Sequence, residues 1–359
     1  MMKEWLLKKD NVNDLCVEAS RKWETYVPLE EIGGDVQFAK LNGKGRKQSL
    51  EKPRLCAQGR GKLNLDYEWL VIPPKVIAFP QLESLFQFQQ GKIRETIARP
   101  KKKLLFGLRA CDVKGILFVN DFFKRNFEDV YYLNRAMDSL LVIVGCKRPM
   151  KNCFCTSTKT GPFLEAGFDL QMVDVDDAYV VEVGSQKGEE FINTYKKFFN
   201  KASKEVVAQS KKAKRQAEEA ISLKVDFEGS IRKICKHKIP KEIYERIGER
   251  CIYCGGCLYV CPTCTCFHVF DDKKGDWGRR WRNWDGCVFE GYTREASGHN
   301  PRQEKWLRTS RRYEHKLKYD YLTTGMSGCV GCGRCLASCP VSIGISKFIQ
   351  EITEERRIM

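Results

Sequence analysis

Short apolar runs punctuate the first half of the chain: "VIAF" (76–79), "LLFGL" (104–108), "LLVIVG" (140–145) and "YVVEVG" (179–184). The first three are continuous, as buried strands are, and the fourth alternates. Between the second and third, "CDVKGILFVNDFFKR" spaces its apolar residues at helical intervals. Strand–helix–strand alternation predicts an α/β unit with an at least partly parallel sheet. Residues 1–75 mix shorter apolar runs with Gly/Lys-rich stretches such as "LNGKGRKQSLEKPR", which predicts a small α/β or irregular layer.

The pattern changes after residue 185. "KGEEFINTYKKFFNKASKEVVAQSKKAKRQAEEAISLKV" lacks proline and recurs in Phe, Val, Ala and Ile at helical spacing, so one or two amphipathic helices are expected. Its lysines read first as a solvated face. A further short helix, "KIPKEIYERIGER", leads into a segment dominated by cysteine.

Eighteen cysteines stand in 359 residues, the greater part of them between Cys235 and Cys339. No apolar run is long enough to cross a bilayer, and "MMKEWLLKKDNVND" holds no signal-length apolar core, so a cytoplasmic location is expected. In a reducing compartment such cysteines read as metal ligands rather than disulfides. Two runs share one grammar. Cys251, Cys254, Cys257 and Cys261 are followed by Pro262; Cys329, Cys332, Cys335 and Cys339 are followed by Pro340. This is bacterial ferredoxin spacing, in which three cysteines hold one [4Fe–4S] cubane and the fourth reaches the other. The expected sets therefore cross over: Cys251, Cys254, Cys257 and Cys339 for the first cluster, and Cys329, Cys332, Cys335 and Cys261 for the second. Structural zinc would use paired knuckles without an exact repeat.

An insert of 67 residues separates Cys261 from Cys329. It carries Cys264, Cys266 and Cys287, a Trp/Arg stretch "DWGRRWRNWDGC", and "ASGHNPR". The stretch reads as a packed lid over the clusters or as a platform for single-stranded nucleic acid; the lid is preferred, because clusters need low-dielectric cover. In the N-terminal part, Cys111 and Cys146 follow the ends of "LLFGL" and "LLVIVG", and Cys153 and Cys155 come soon after. Ligands sit beyond the carboxyl ends of parallel strands, so these four thiols could hold a third [4Fe–4S] cluster. The bland alternative is buried free thiols, the reading given to Cys16, Cys56 and Cys235. In "GLRACD", Arg109 and Asp112 read as ordinary partners around a structural turn. No GxGxxG, P-loop or HExxH occurs, so neither a flavin nor a nucleotide is expected in this chain. The net charge of +17 points to electropositive faces, an acidic protein partner being favoured over nucleic acid.

With those residues in hand, the chain resembles the beta subunits of cytoplasmic sulfhydrogenases (hydrogenase/sulfur reductase), themselves similar to the corresponding subunit of anaerobic sulfite reductase. The resemblance is carried by "PPKVIAFPQLESLFQF", "LLFGLRACDVKGI", "CFCTSTKTGP", "GFDL", "YVVEVGSQKGEEF", "CIYCGGCLYVCPTCTCF", "WDGC", "ASGHNPR" and "GCVGCGRCLASCP". It implies a non-catalytic relay of single electrons. One partner would be a FAD- and NAD(P)H-binding subunit, and the other a catalytic subunit of hydrogenase, sulfite reductase or heterodisulfide-reductase type. Two rival readings stand beside it: a sulfur-species reductase with its own catalytic cluster, and a nucleic-acid-binding protein with structural clusters. The organisation expected is α+β: an α/β domain over 1–195, a helical connector over 196–245, and a ferredoxin-like dicluster domain over 246–359 with the insert between its two cysteine motifs.

Overall fold

A computed structural model of the chain describes residues 4–31, 33–41 and 61–354. Most of "LNGKGRKQSLEKPR" and Cys56 lie outside the described residues. The architecture is mixed α+β. The leading strands and helices are β1 (Glu4–Lys8), α1 (Val12–Ala19), β2 (Glu24–Glu30), β3 (Val36–Lys40), β4 (Lys62–Leu63), β5 (Leu82–Gln89), β6 (Lys92–Glu95) and β7 (Lys103–Leu108). There follow α2 (Ala110–Phe122), α3 (Val130–Ala136), β8 (Ser139–Val144), β9 (Leu170–Val175), β10 (Ala178–Val183), α4 (Gln186–Thr194) and β11 (Phe199–Lys201).

One sheet runs β11-β1-β10-β9-β8-β7-β2-β3, with β4 beside β2. Its centre is parallel, from β2 through β7 and β8 to β9, and its flanks are antiparallel. "LLFGL" and "LLVIVG" become the adjacent parallel strands β7 and β8, buried along nearly their whole length. The crossover between them is α2, the helix expected from "CDVKGILFVNDFFKR". "VIAF" departs from its expected strand. Pro73 and Pro74 precede it and Pro80 follows, and prolines cannot donate to a ladder. The stretch instead begins in a single 3-10 turn, Pro74–Ile77, that drives Phe79 fully into a core of Phe118, Phe123, Tyr132 and Trp284.

The second half continues with α5 (Lys204–Glu219), α6 (Phe227–Cys235), α7 (Lys241–Arg250), α8 (Gly256–Tyr259), β12 (Phe267–Lys274), β13 (Trp277–Trp284), α9 (Lys305–Glu314), α10 (Asp320–Thr324), α11 (Arg334–Ala337) and α12 (Ile345–Thr353). Helices α4 and α5 both start on serine caps, Ser185 accepting from Gly188 N–H and Ser203 from Val206 N–H, as caps of this type do. A core of Ile231, Ile247, Tyr313, Leu317 and Phe348 joins α6, α7, α9 and α12, and Phe154 from the loop after β8 plugs into it.

The insert between the cysteine motifs forms the hairpin β12–β13, whose second strand pairs with β5 in a four-stranded sheet. Two of its arginines have carboxylate partners. Arg282 bonds Glu83 and Asp129, Arg280 bonds Asp271 at 2.7 Å, and Trp284 is buried and donates to Phe79 O. The Trp/Arg stretch is therefore packed strand, and its foot rests on the first cysteine loop, where Tyr259 packs on Trp284. Among the described residues no helix is long and apolar enough to cross a membrane.

Candidate metal centre

The two cysteine loops repeat each other in backbone as well as in spacing. Two and four residues after the leading cysteine, φ is left-handed in both: 56° at Tyr253 and 72° at Gly255, then 59° at Gly331 and 72° at Gly333. Alternation of this kind turns successive N–H groups inward into an anion-binding nest. Tyr253 N–H donates to Cys251 Sγ at 3.4 Å, and Gly331 N–H does the same for Cys329. Each loop then closes in a single helical turn, α8 or α11.

Cys251, Cys254, Cys257 and Cys339 line one hollow together with Cys335, backed by Val288 and Val341. Cys251 faces Cys339 and Cys254. Cys329 faces Cys335 and Cys261, and Cys332 faces the same two. The fourth cysteine of each loop thus sits with the leading cysteines of the other. Burial pushes the Cys257 thiol up to about 11 and Cys329 up to about 12. Such thiols become thiolates only beside strong positive charge, which bound iron supplies.

The surroundings suit an anionic group. Arg312 is 4% exposed, and its Nε and Nη2 are buried without a hydrogen-bond partner while facing Cys257 and Cys335. An orphaned guanidinium is costly, and a tetrathiolate cluster would supply the missing acceptor. Lys316, also buried, bonds Thr263 Oγ1 and Gly328 O at 2.9 Å each and faces Cys261. Among the described residues no three Cys, His, Asp or Glu side chains converge on a single ion; a cubane needs its thiols spread wider than one zinc does.

A half-buried histidine beside Lys316 is held neutral. Burial, then the charge of Lys316, lowers His315 from 6.5 to about 4. Between those values the unfolded chain binds a proton that the folded chain refuses, so stability falls as pH drops from about 6.5 to 4. His315→Gln is expected to flatten that stretch of the stability–pH curve, measured by anaerobic denaturant titration.

Beyond the carboxyl ends of β7 and β8 the strand-end thiols lie near one another. Cys111 faces Cys146, Cys153 faces Cys146, and Cys155 faces Cys146 and Cys153. This group abuts the second cysteine loop. Cys153 Sγ lies 3.5 Å from Cys332 O, Phe154 N–H donates to Gly331 O at 2.8 Å, and Thr160 Oγ1 donates to Val330 O at 2.7 Å. A Cβ on Gly331 would stand 2.7 Å from Cys155 Cα, at a φ of +59°. Gly331→Ala is accordingly expected to cost about 2 kcal/mol or more, read as a lowered urea midpoint.

Arg109 and Asp112 are both pairing residues at this turn, each with partners far along the chain. Arg109 donates to carbonyls, including Gly145 O at 2.9 Å, and Asp112 takes a bidentate bond from Arg334 of the second cysteine loop. Sequence reasoning missed Arg312, Lys316, Arg334 and Lys75 altogether. Two of them left a trace: Arg334 lies inside "CGRC", and Lys75 sits in the proline-flanked "PPKVIAF". Lys75 is 3% exposed, donates to Cys264 O, and lies 4.3 Å from the centre of the Trp284 ring. Burial lowers it to about 8. Cys16 is buried and Cys235 half-buried, both free.

Known proteins share both the cysteine-rich part and most of the chain. The 4Fe-4S dicluster domain family matches residues 250–343. The chain is 31% identical over 298 residues to Sulfhydrogenase 2 subunit beta of Pyrococcus furiosus, a match covering 82% of this chain and 86% of that relative.

Proposed function

Because the chain belongs to the sulfhydrogenase beta-subunit family, we propose that it is an iron–sulfur relay subunit that conducts single electrons between two partner subunits and performs no substrate chemistry of its own. The observation that carries this reading is the pair of repeated cysteine loops whose thiols cross over around buried, unpartnered cation donors. Cys251, Cys254, Cys257 and Cys339 would hold one [4Fe–4S] cluster; Cys329, Cys332, Cys335 and Cys261 would hold the second. Cys111, Cys146, Cys153 and Cys155 would hold a third. When bound, each cubane accepts and returns one electron at a potential set by charge, N–H···S bonds and burial.

The protein's own residues supply those settings. Arg312 and Lys316 offset anionic charge, the Tyr253 and Gly331 amides donate to thiolate sulfur, and Val288, Tyr313 and the hairpin foot keep water away. Cys254 is exposed whereas Cys155 is buried, so the first set opens to a docking partner and the strand-end set lies inside. The partners are taken to be a flavin subunit that exchanges electrons with NAD(P)H and a catalytic subunit of hydrogenase, sulfite reductase or heterodisulfide-reductase type. The chain purified anaerobically is expected to bleach with dithionite, to recolour with an artificial oxidant, and to leave polysulfide and sulfite unreduced. Turnover of either by the chain alone would replace the relay reading with that of a reductase.

A further inference from the structure

The twin cysteine loops differ two residues past their fourth cysteines. Cys261 and Pro262 are followed by Thr263, whereas Cys339 and Pro340 are followed by Val341. Thr263 is 3% exposed, and its hydroxyl stands among three polar groups. Its Oγ1 lies 3.2 Å from Cys261 Sγ, donates to Gly328 O at 2.5 Å and accepts from Lys316 Nζ at 2.9 Å. At the twin position a valine methyl replaces that hydroxyl, and the Cys339 sulfur takes the Ile343 N–H at 3.5 Å.

Lys316 fixes this hydroxyl from behind. It lies in a π-helical turn, His315–Tyr319, between α9 and α10, a distortion frequent at functional sites. Its carbonyl accepts from Gly328 N–H at 2.9 Å and from Ser327 Oγ at 2.8 Å, while its ammonium donates back to Gly328 O at 2.9 Å. Gly328 precedes Cys329 and Thr263 follows Cys261, so the lysine ties together the two loops that supply the second set. A hydroxyl carries one proton and two lone pairs. Because Lys316 already satisfies Gly328 O, the Thr263 proton is free to turn to the stronger acceptor. Beside iron Cys261 is a thiolate, and a bond to an ionised acceptor outweighs one to a neutral carbonyl.

We propose that Thr263, oriented by Lys316, is a positioning residue that raises the reduction potential of the second cluster through Cys261. Its O–H donates to the Cys261 sulfur and so stabilises the extra negative charge of the reduced state. The proton turns about the Cβ–Oγ bond from Gly328 O to sulfur and does not leave Thr263. Val341 gives the first cluster no matching bond. An electron entering at the exposed Cys254 is thereby drawn inward to the second set, whose Cys332 carbonyl stands 3.5 Å from Cys153 Sγ of the strand-end group. This inference rests on the relay reading for its clusters.

The test is a redox titration of the anaerobic, cluster-loaded chain with dithionite, followed by paramagnetic resonance. Thr263→Val removes the hydroxyl at nearly constant volume. It is expected to keep its iron and to lower one midpoint by about a tenfold change in the oxidised-to-reduced ratio, which is about 59 mV for one electron. Thr263→Ser is expected to restore that midpoint. In a Cys254→Ser background, which removes the first cluster, the same downward shift is expected, and this assigns it to the second set. Equal midpoints in Thr263→Val and the unaltered chain would overturn the proposal. So would a Thr263→Ser chain shifted as far as the valine variant, since packing alone would then explain the effect, or a shift that vanishes with Cys254→Ser. If Thr263→Val does not fold, Thr263→Ala removes the same hydroxyl and is judged by the same criterion. A chain without iron would sink the relay reading instead, and the metal assay distinguishes the two.

Discussion

Replacing Arg334 with methionine is expected to destabilise the folded chain by about 3–5 kcal/mol, the usual cost of breaking a buried ion pair from one side. Arg334 and Asp112 are each 1% exposed, and their two bonds measure 2.7 and 2.9 Å. They fasten the second cysteine loop to the first turn of α2, between residues 222 positions apart. The cost arises because Asp112 would keep its charge in a site with little water to solvate it. Removing both charges tests that cause. Asp112→Leu with Arg334→Met should recover much of the loss, giving a strong coupling in a double-mutant cycle of anaerobic urea midpoints. If Arg334→Met alone leaves the midpoint in place, the pair does not hold the two halves together.

Cysteine-to-serine changes should be the most damaging for the metal, and their effects should sort by set. Cys254→Ser touches the exposed edge of the first set and is expected to lose about four irons while the second set's spectrum persists. Cys332→Ser should lose about as many, and its effect should also reach the strand-end thiols, because the Cys332 carbonyl stands 3.5 Å from Cys153 Sγ. Cys111→Ser should then remove about four more of the wild-type irons without disturbing the first set. Iron assays with paramagnetic resonance on each variant check this. Full iron content in Cys111→Ser would dismiss the strand-end cluster and leave those thiols as packing.

Much of this was legible in the sequence wherever the signal was local. Spacing placed Cys251 to Cys261 and Cys329 to Cys339 as twin loops, and apolar runs placed β7 and β8 with Cys111 and Cys146 at their ends. What escaped was set by contacts across the chain. The ladder that joins β5 to β13 links residues nearly two hundred positions apart, and neither strand's pattern names its partner. "VIAF" has the composition of a strand, but the flanking prolines decided it. Arg312 and Lys316 stand in a strongly charged stretch of sequence, and only the fold shows them to be buried.

The most direct test of the relay reading is the count of iron and acid-labile sulfide on the anaerobically purified chain, taken with its resonance spectrum after dithionite reduction. About twelve irons with matching sulfide, and the interacting signals of neighbouring reduced cubanes, are the expected result. Stoichiometric zinc with no labile sulfide would contradict it.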